Sequence, residues 1–164
     1  MFRLLASAAV LALAASPAVA QEAPASPALA MVRAFSQVCG QTDGDPARVA
    51  AAAQAVGWTR GGEGDGLTIW RSVASEVRMS LLTGEQSGEG KARWVCSIQM
   101  RPAAPIPAEM LTAEMGSGLV ALDPSKGLYL MAPSGPAVRA NDAAVVNVST
   151  DATGASLLYM RPRP

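Results

Sequence analysis

Arg93-Trp94-Val95-Cys96-Ser97-Ile98-Gln99-Met100-Arg101 is the stretch whose pattern decides the fold. Trp94, Cys96, Ile98 and Met100 fall on one side of an extended chain, and Arg93, Ser97, Gln99 and Arg101 on the other. That period of two marks a strand with one dry face and one wet face. Glu76 to Leu82 alternates in the same way, with Val77, Met79 and Leu81 inward and Glu76, Arg78 and Ser80 outward. Thr83 to Lys91, polar and carrying three glycines, reads as the hairpin loop between them. Leu67 to Arg71 supplies a strand before both. A sheet wet on one side is antiparallel and needs a cover on the other.

The cover is legible upstream. Leu29, Val32, Phe35 and Cys39 recur at helical spacing, with Ser26 as N-cap, Pro27 at the first helical position and Gly40 as the stop. A second helix starts at the Asp45 cap and Pro46, presents Val49, Ala52, Ala53 and Val56, and closes at Gly57. Trp58 then folds back on its last turn, while Gly61 to Gly66 reads as a glycine-rich turn. Downstream, Pro102, Pro105 and Pro107 end the third strand and lead into a short helix, Ala108 to Met115, buried through Met110, Leu111 and Met115. Asp123 to Gly127 is a turn, Leu128 to Met131 a strand, and Pro133 to Pro136 a loop. Ala144 to Thr150 and Ala155 to Met160 are strands joined by the turn Asp151 to Gly154. The class is α+β: an antiparallel sheet of five to six strands, two N-terminal helices and one inserted helix, with no internal repeat. Residues 27–160 form one domain, and Pro162 and Pro164 imply a loose tail over 161–164.

The N-terminus is read separately. Arg3, the apolar run Leu4 to Ala15, the breaker Ser16-Pro17 and the small-x-small triplet Ala18-Val19-Ala20 make a secretory signal peptide over 1–20. Twelve apolar residues are too few to span a bilayer core that takes about 20. Gln21 leaves no cysteine for lipidation at the cut, and 21–26 is a flexible Pro/Ala linker. Without residues 1–20 the net charge moves from 0 to −1, because only Arg3 is lost. The hydrophobic share drops from 50% to about 46%, an ordinary globular value. Arginine outnumbers lysine eleven to two and alanine is abundant, a composition of GC-rich bacterial genomes that points to a periplasmic destination.

Cys39 and Cys96 are the only thiols, and both point to apolar faces in an exported chain. The expectation is one disulfide tying helix to sheet, stabilising by about 4 kcal/mol in the chain-entropy model. There is no C-x-x-C motif to suggest a redox enzyme.

Composition excludes many chemistries. With no histidine there is no Ser-His-Asp triad, Cys-His pair or imidazole ligand. Near-zero net charge argues against a nucleic-acid partner. Gly116-Ser117-Gly118 does not meet G-x-S-x-G, and the methionines that follow the signal peptide are scattered over core positions. No cofactor is implied. Asp43, Asp45, Glu63 and Asp65 on glycine-rich turns are weak metal candidates, lacking the calcium-loop spacing. Glu76, Glu109 and Glu114 are the acids open to a carboxylate-pair mechanism. Arg71, Arg78, Arg93 and Arg101 lie on the three central strands. Of these, Arg78, Arg93 and Arg101 on outward positions form a candidate face for an anionic ligand or a partner, against the plainer account of cross-strand pairing with Glu76 or Glu85.

Phe35-x-x-Val38-Cys39, Asp45-Pro46, Val56-Gly57-Trp58 and Trp94-x-Cys96 together resemble a pattern in small exported proteins of GC-rich Gram-negative bacteria. The likeness covers about the first half of the chain after the signal peptide. It implies a periplasmic domain with a structural disulfide and transfers no functional residue. The functional expectation is a non-catalytic periplasmic domain that binds a protein partner or a small anionic ligand. The alternative is a small carboxylate-dependent hydrolase of the cell envelope.

Overall fold

The computed structural model describes residues 26–72, 77–88, 91–132 and 143–163. The signal peptide, all of the linker but Ser26, Glu76 and the Pro133 to Pro136 loop lie outside the described residues. The first helix, α1 (Pro27–Phe35), begins where Ser26 Oγ accepts from the Leu29 N–H at 3.3 Å. It runs on into a π turn, Ser36–Gly40, that buries both Val38 and Cys39. Asp45 Oδ1 caps α2 (Pro46–Ala55) by accepting from the N–H groups of Ala47 and Arg48 at 2.9 and 3.2 Å. The helix ends as the glycine pattern predicts. Gly57 takes φ +81°, and the Trp58 N–H donates to the Ala53 carbonyl. Val49 and Ala53 are buried, but Val56, read as part of the buried stripe, is exposed because the helix has already unwound there.

Eight strands follow, two or three more than the pattern predicts. They are β1 (Thr59–Gly64), β2 (Leu67–Arg71), β3 (Arg78–Gly88), β4 (Lys91–Arg101), β5 (Leu119–Asp123), β6 (Leu128–Met131), β7 (Ala144–Asp151) and β8 (Gly154–Pro162). The inserted helix α3 (Ala108–Met115) separates β4 from β5. The two strands that pattern reading missed are the sheet edges, β1 and β5. All six residues of β1 are exposed, and β5 buries only Leu119. An edge that buries almost nothing has no apolar alternation to find. The expected loop Thr83 to Lys91 is also mostly strand: β3 and β4 stay paired out to Gly88 and Lys91.

The sheet order is β1-β2-β3-β4-β8-β7-β6-β5, antiparallel throughout. It consists of two four-stranded meanders, each introduced by a helix, joined through their last strands β4 and β8. The topology repeats although the sequence does not. All three helices pack on one face. Met31, Phe35, Val49 and Leu111 meet Leu81, Ile98, Leu157 and Tyr159 there, and all eight are buried. Each such side chain contributes about 1.5–3 kcal/mol by leaving water.

Cys39 and Cys96 are bonded, with Cα atoms 5.6 Å apart, so the π turn is tied to the central strand β4. The tail is not loose over its first residues. β8 continues to Pro162, Arg161 pairs with Trp94, and the Arg163 N–H donates to the Ala92 carbonyl. Pro162 stands opposite Arg93 at the end of this ladder, and Asp43 holds Arg161 through an ion pair of 3.6 Å. No helix among the described residues is long and apolar enough to cross a membrane.

Candidate anion-binding site

Antiparallel pairing sets the end of one strand beside the start of the next. Arg71 ends β2, Arg78 opens β3 and Arg101 ends β4, so all three reach the same end of the sheet. Arg71 stands opposite Ser80, Ser80 opposite Gln99, and Arg78 opposite Arg101. All five side chains are on the face away from the helices. With Ser72, Val77 and Met79 they line a depression of about 710 Å³. Among the described residues that line it there is no carboxylate. The Arg71 side chain crosses β1 at Gly61, the residue skipped by the register shift between Arg60 and Gly62. A Cβ at Gly61 would sit 3.2 Å from Arg71 Nε, so the missing side chain makes room for the arm.

A second depression, about 150 Å³, shares Gln99 and Arg101 and continues over Ser149, Ser156 and the β7–β8 turn. Asp151 organises that turn. Its Oδ1 accepts from the Thr153 hydroxyl and N–H, both at 2.6 Å, and from the Gly154 N–H at 3.1 Å. These bonds, the Thr153 hydroxyl first, hold its carboxyl below the usual range, and the Arg101 charge adds to the effect. Asp151, which lines this second depression together with Arg101, is therefore already committed to a turn. Arg78 and Arg101 are directly opposed like charges, and Arg forks match carboxylate and phosphate geometry. An anion bound among them would remove that repulsion.

Arg93 does not join this cluster. It lies eight residues from Arg101 along β4, roughly 26 Å at strand rise, with Nη1 4.0 Å from Met160 Sδ. Glu85 does not pair with the strand arginines; it binds Arg163 at 3.1 Å. The four weak metal candidates are also dispersed. Asp43 holds Arg48 and Arg161, each at 3.6 Å, Asp45 caps α2, Glu63 pairs with Arg60, and Asp65 sits in the β1–β2 turn at φ +52°. Among the described residues no group of three or more His, Cys, Asp or Glu side chains could hold a metal ion. Of the acids weighed for a carboxylate pair, Glu109 is in the first turn of α3 and Glu114 pairs with Arg33 at 3.1 Å, while Glu76 lies outside the described residues.

Pattern reading placed Arg78 and Arg101 outward but could not align them, and it gave Arg71 no side. Only the pairing register shows that Arg71, Ser80, Gln99 and Arg101 belong together. Comparison with protein-family models, with curated proteins and with solved structures finds no match for this chain.

Proposed function

We propose that the chain is an exported, non-catalytic periplasmic domain that binds an anionic ligand at the Arg71, Arg78 and Arg101 end of its helix-free sheet face. The observation that carries this reading is the gathering of three arginines in one depression with no carboxylate among its described lining residues. Ser80 and Gln99 add hydrogen-bonding groups between the charges. Export is supported by the N-terminal pattern and is compatible with the Cys39–Cys96 bond.

Titration with inorganic phosphate and sulfate, followed by backbone amide NMR, tests the reading. Shifts centred on Arg71, Arg78 and Arg101 that vanish in R78Q/R101Q are the expected result. Shifts spread evenly over the surface, or none, would remove the anion reading and leave a protein partner as the ligand class to pursue.

A further inference from the structure

The arginine depression is one half of a longer polar shelf. Arg71, Ser80, Gln99, Ser156 and Ser149 stand opposite one another in turn, across β2, β3, β4, β8 and β7. Neighbouring strands lie about 4.8 Å apart, so this row is roughly 19 Å long. Beside it, nearer the sheet end, come the opposed Arg78 and Arg101 and the opposed Gly154 and Asp151. Residues of these two rows line both depressions, which meet at Gln99 and Arg101. A Cβ at Gly154 would lie 3.3 Å from Arg101 Cγ, so the arm of Arg101 rests against a bare glycine where the two depressions join.

The two halves differ in chemistry. The first carries three guanidinium groups and, among its described lining residues, no carboxylate, so it suits an anion. The second carries one carboxylate, Asp151, with the hydroxyls of Ser149, Thr153 and Ser156. Asp151 commits Oδ1 to its own turn, and Oδ2 takes no part in those bonds. A second anion would be repelled by that carboxylate, and an ammonium by Arg101. A ligand hydroxyl meets neither objection: it donates to a carboxylate and accepts from serine or from the Gln99 amide. The side chains of Ser80, Gln99, Ser149 and Ser156 hydrogen-bond to no other described residue, so all four are open to a ligand.

We propose that the shelf binds an anionic sugar, such as a hexuronate. The carboxylate sits between Arg78 and Arg101, and the ring hydroxyls lie over Ser156, Ser149 and Asp151. From β4 to β7 is two strand spacings, roughly 10 Å, which one pyranose ring spans with the side chains on either side. The inference rests on the anion-binding reading above and adds the chemical class of the ligand.

Backbone amide NMR titrations of the disulfide-bonded protein with acetate, galactose, galacturonate and trigalacturonate test it. Galacturonate is expected to bind about tenfold tighter than acetate, the effect of one or two added hydrogen bonds. It should also shift Thr153, Gly154 and Ser156, which acetate leaves in place, while galactose gives no saturable shifts. S149A/S156A is expected to bring galacturonate down to the affinity of acetate and to leave acetate unchanged. Both serines are on the outer face and neither is buried. Should the double variant fail to fold, the shift pattern and affinity ratio of the unaltered protein still decide. Tighter binding of the trisaccharide would identify a segment of an acidic glycan as the source, and equal binding a free sugar acid; both retain the class. Galacturonate that matches acetate in affinity and in shifts would overturn the sugar and leave the anion site standing. Absence of binding by acetate, sulfate and galacturonate alike would overturn both. Galactose that binds as tightly as galacturonate, or an advantage that survives in the folded double variant, would overturn the shelf.

Discussion

Arg78 and Arg101 stand directly opposite each other across β3 and β4, on the sheet face that carries no helix. Directly opposed side chains in an antiparallel pair have Cβ atoms about 4.5–5.5 Å apart, and like charges there destabilise the sheet. Neither arginine lies in a salt bridge with another described residue. R78Q, which relieves this repulsion and leaves the attraction between Arg101 and Asp151 in place, is therefore expected to stabilise the ligand-free protein by about 0.2–1 kcal/mol at low ionic strength, with the gain shrinking as salt rises. Urea denaturation at two salt concentrations checks this. A loss of stability at both would show that Arg78 has a structural partner and is not held against repulsion.

The Cys39–Cys96 bond closes a loop of sequence separation 57 between the π turn and the central strand. Opening it is expected to lower stability by about 4 kcal/mol if the loss is mainly unfolded-state entropy. The measurement is denaturant unfolding of oxidised protein against C39S/C96S. Serine keeps the size of the side chain but leaves a hydroxyl in a core where both sulfurs are fully buried, so the double variant reads slightly below the reduced protein. An unchanged midpoint in reducing agent would show that the bond adds nothing to the fold.

The legible parts of this fold are those that bury one side and wet the other. The alternation through Trp94, Cys96, Ile98 and Met100 gave the strand, the dry face and the disulfide together, and the caps at Ser26 and Asp45 gave two helix starts. The edges escaped because Thr59–Gly64 buries no side chain and Val120 and Leu122 are exposed. The outer face was read as uniformly wet from Ser97, Gln99 and Arg101. That reading passed over Val95, on the same side, and the Leu82 and Leu158 neighbours that shield Ser97. Which arginines meet is a matter of register between strands, and a single strand's period does not contain it.

Gly44 adopts φ +68° in the turn between the π turn and α2, and a Cβ there would lie 2.9 Å from the Tyr159 ring. Both backbone and packing therefore oppose a side chain. G44A is expected to destabilise the protein by more than about 1 kcal/mol, beyond the cost of an ordinary surface substitution. In G44A/Y159L, where the ring is gone, only the backbone part should remain. A thermal unfolding series over the two single variants and the double checks this, because simple additivity would mean that the clash is absent.

Tyr159 lies 1% exposed on β8, beneath that same turn. Burial pushes its phenol from 10.0 up to about 12, and the nearby Asp43 carboxylate adds to the rise while Arg161 opposes it. The raised value means that the folded state holds the proton more tightly than the unfolded chain does. Its stabilising effect is complete below pH 10 and is lost as pH climbs from 10 through about 12, because the unfolded chain alone gains from ionisation. The loss should be on the order of 2 kcal/mol across that window. Y159F should flatten this alkaline limb without changing the slope at neutral pH. D43N, which removes the neighbouring negative charge, should move the phenolate absorbance transition to lower pH. A phenol that titrates near 10 in the folded protein would place Tyr159 in water and break the link between the Asp43 turn and β8.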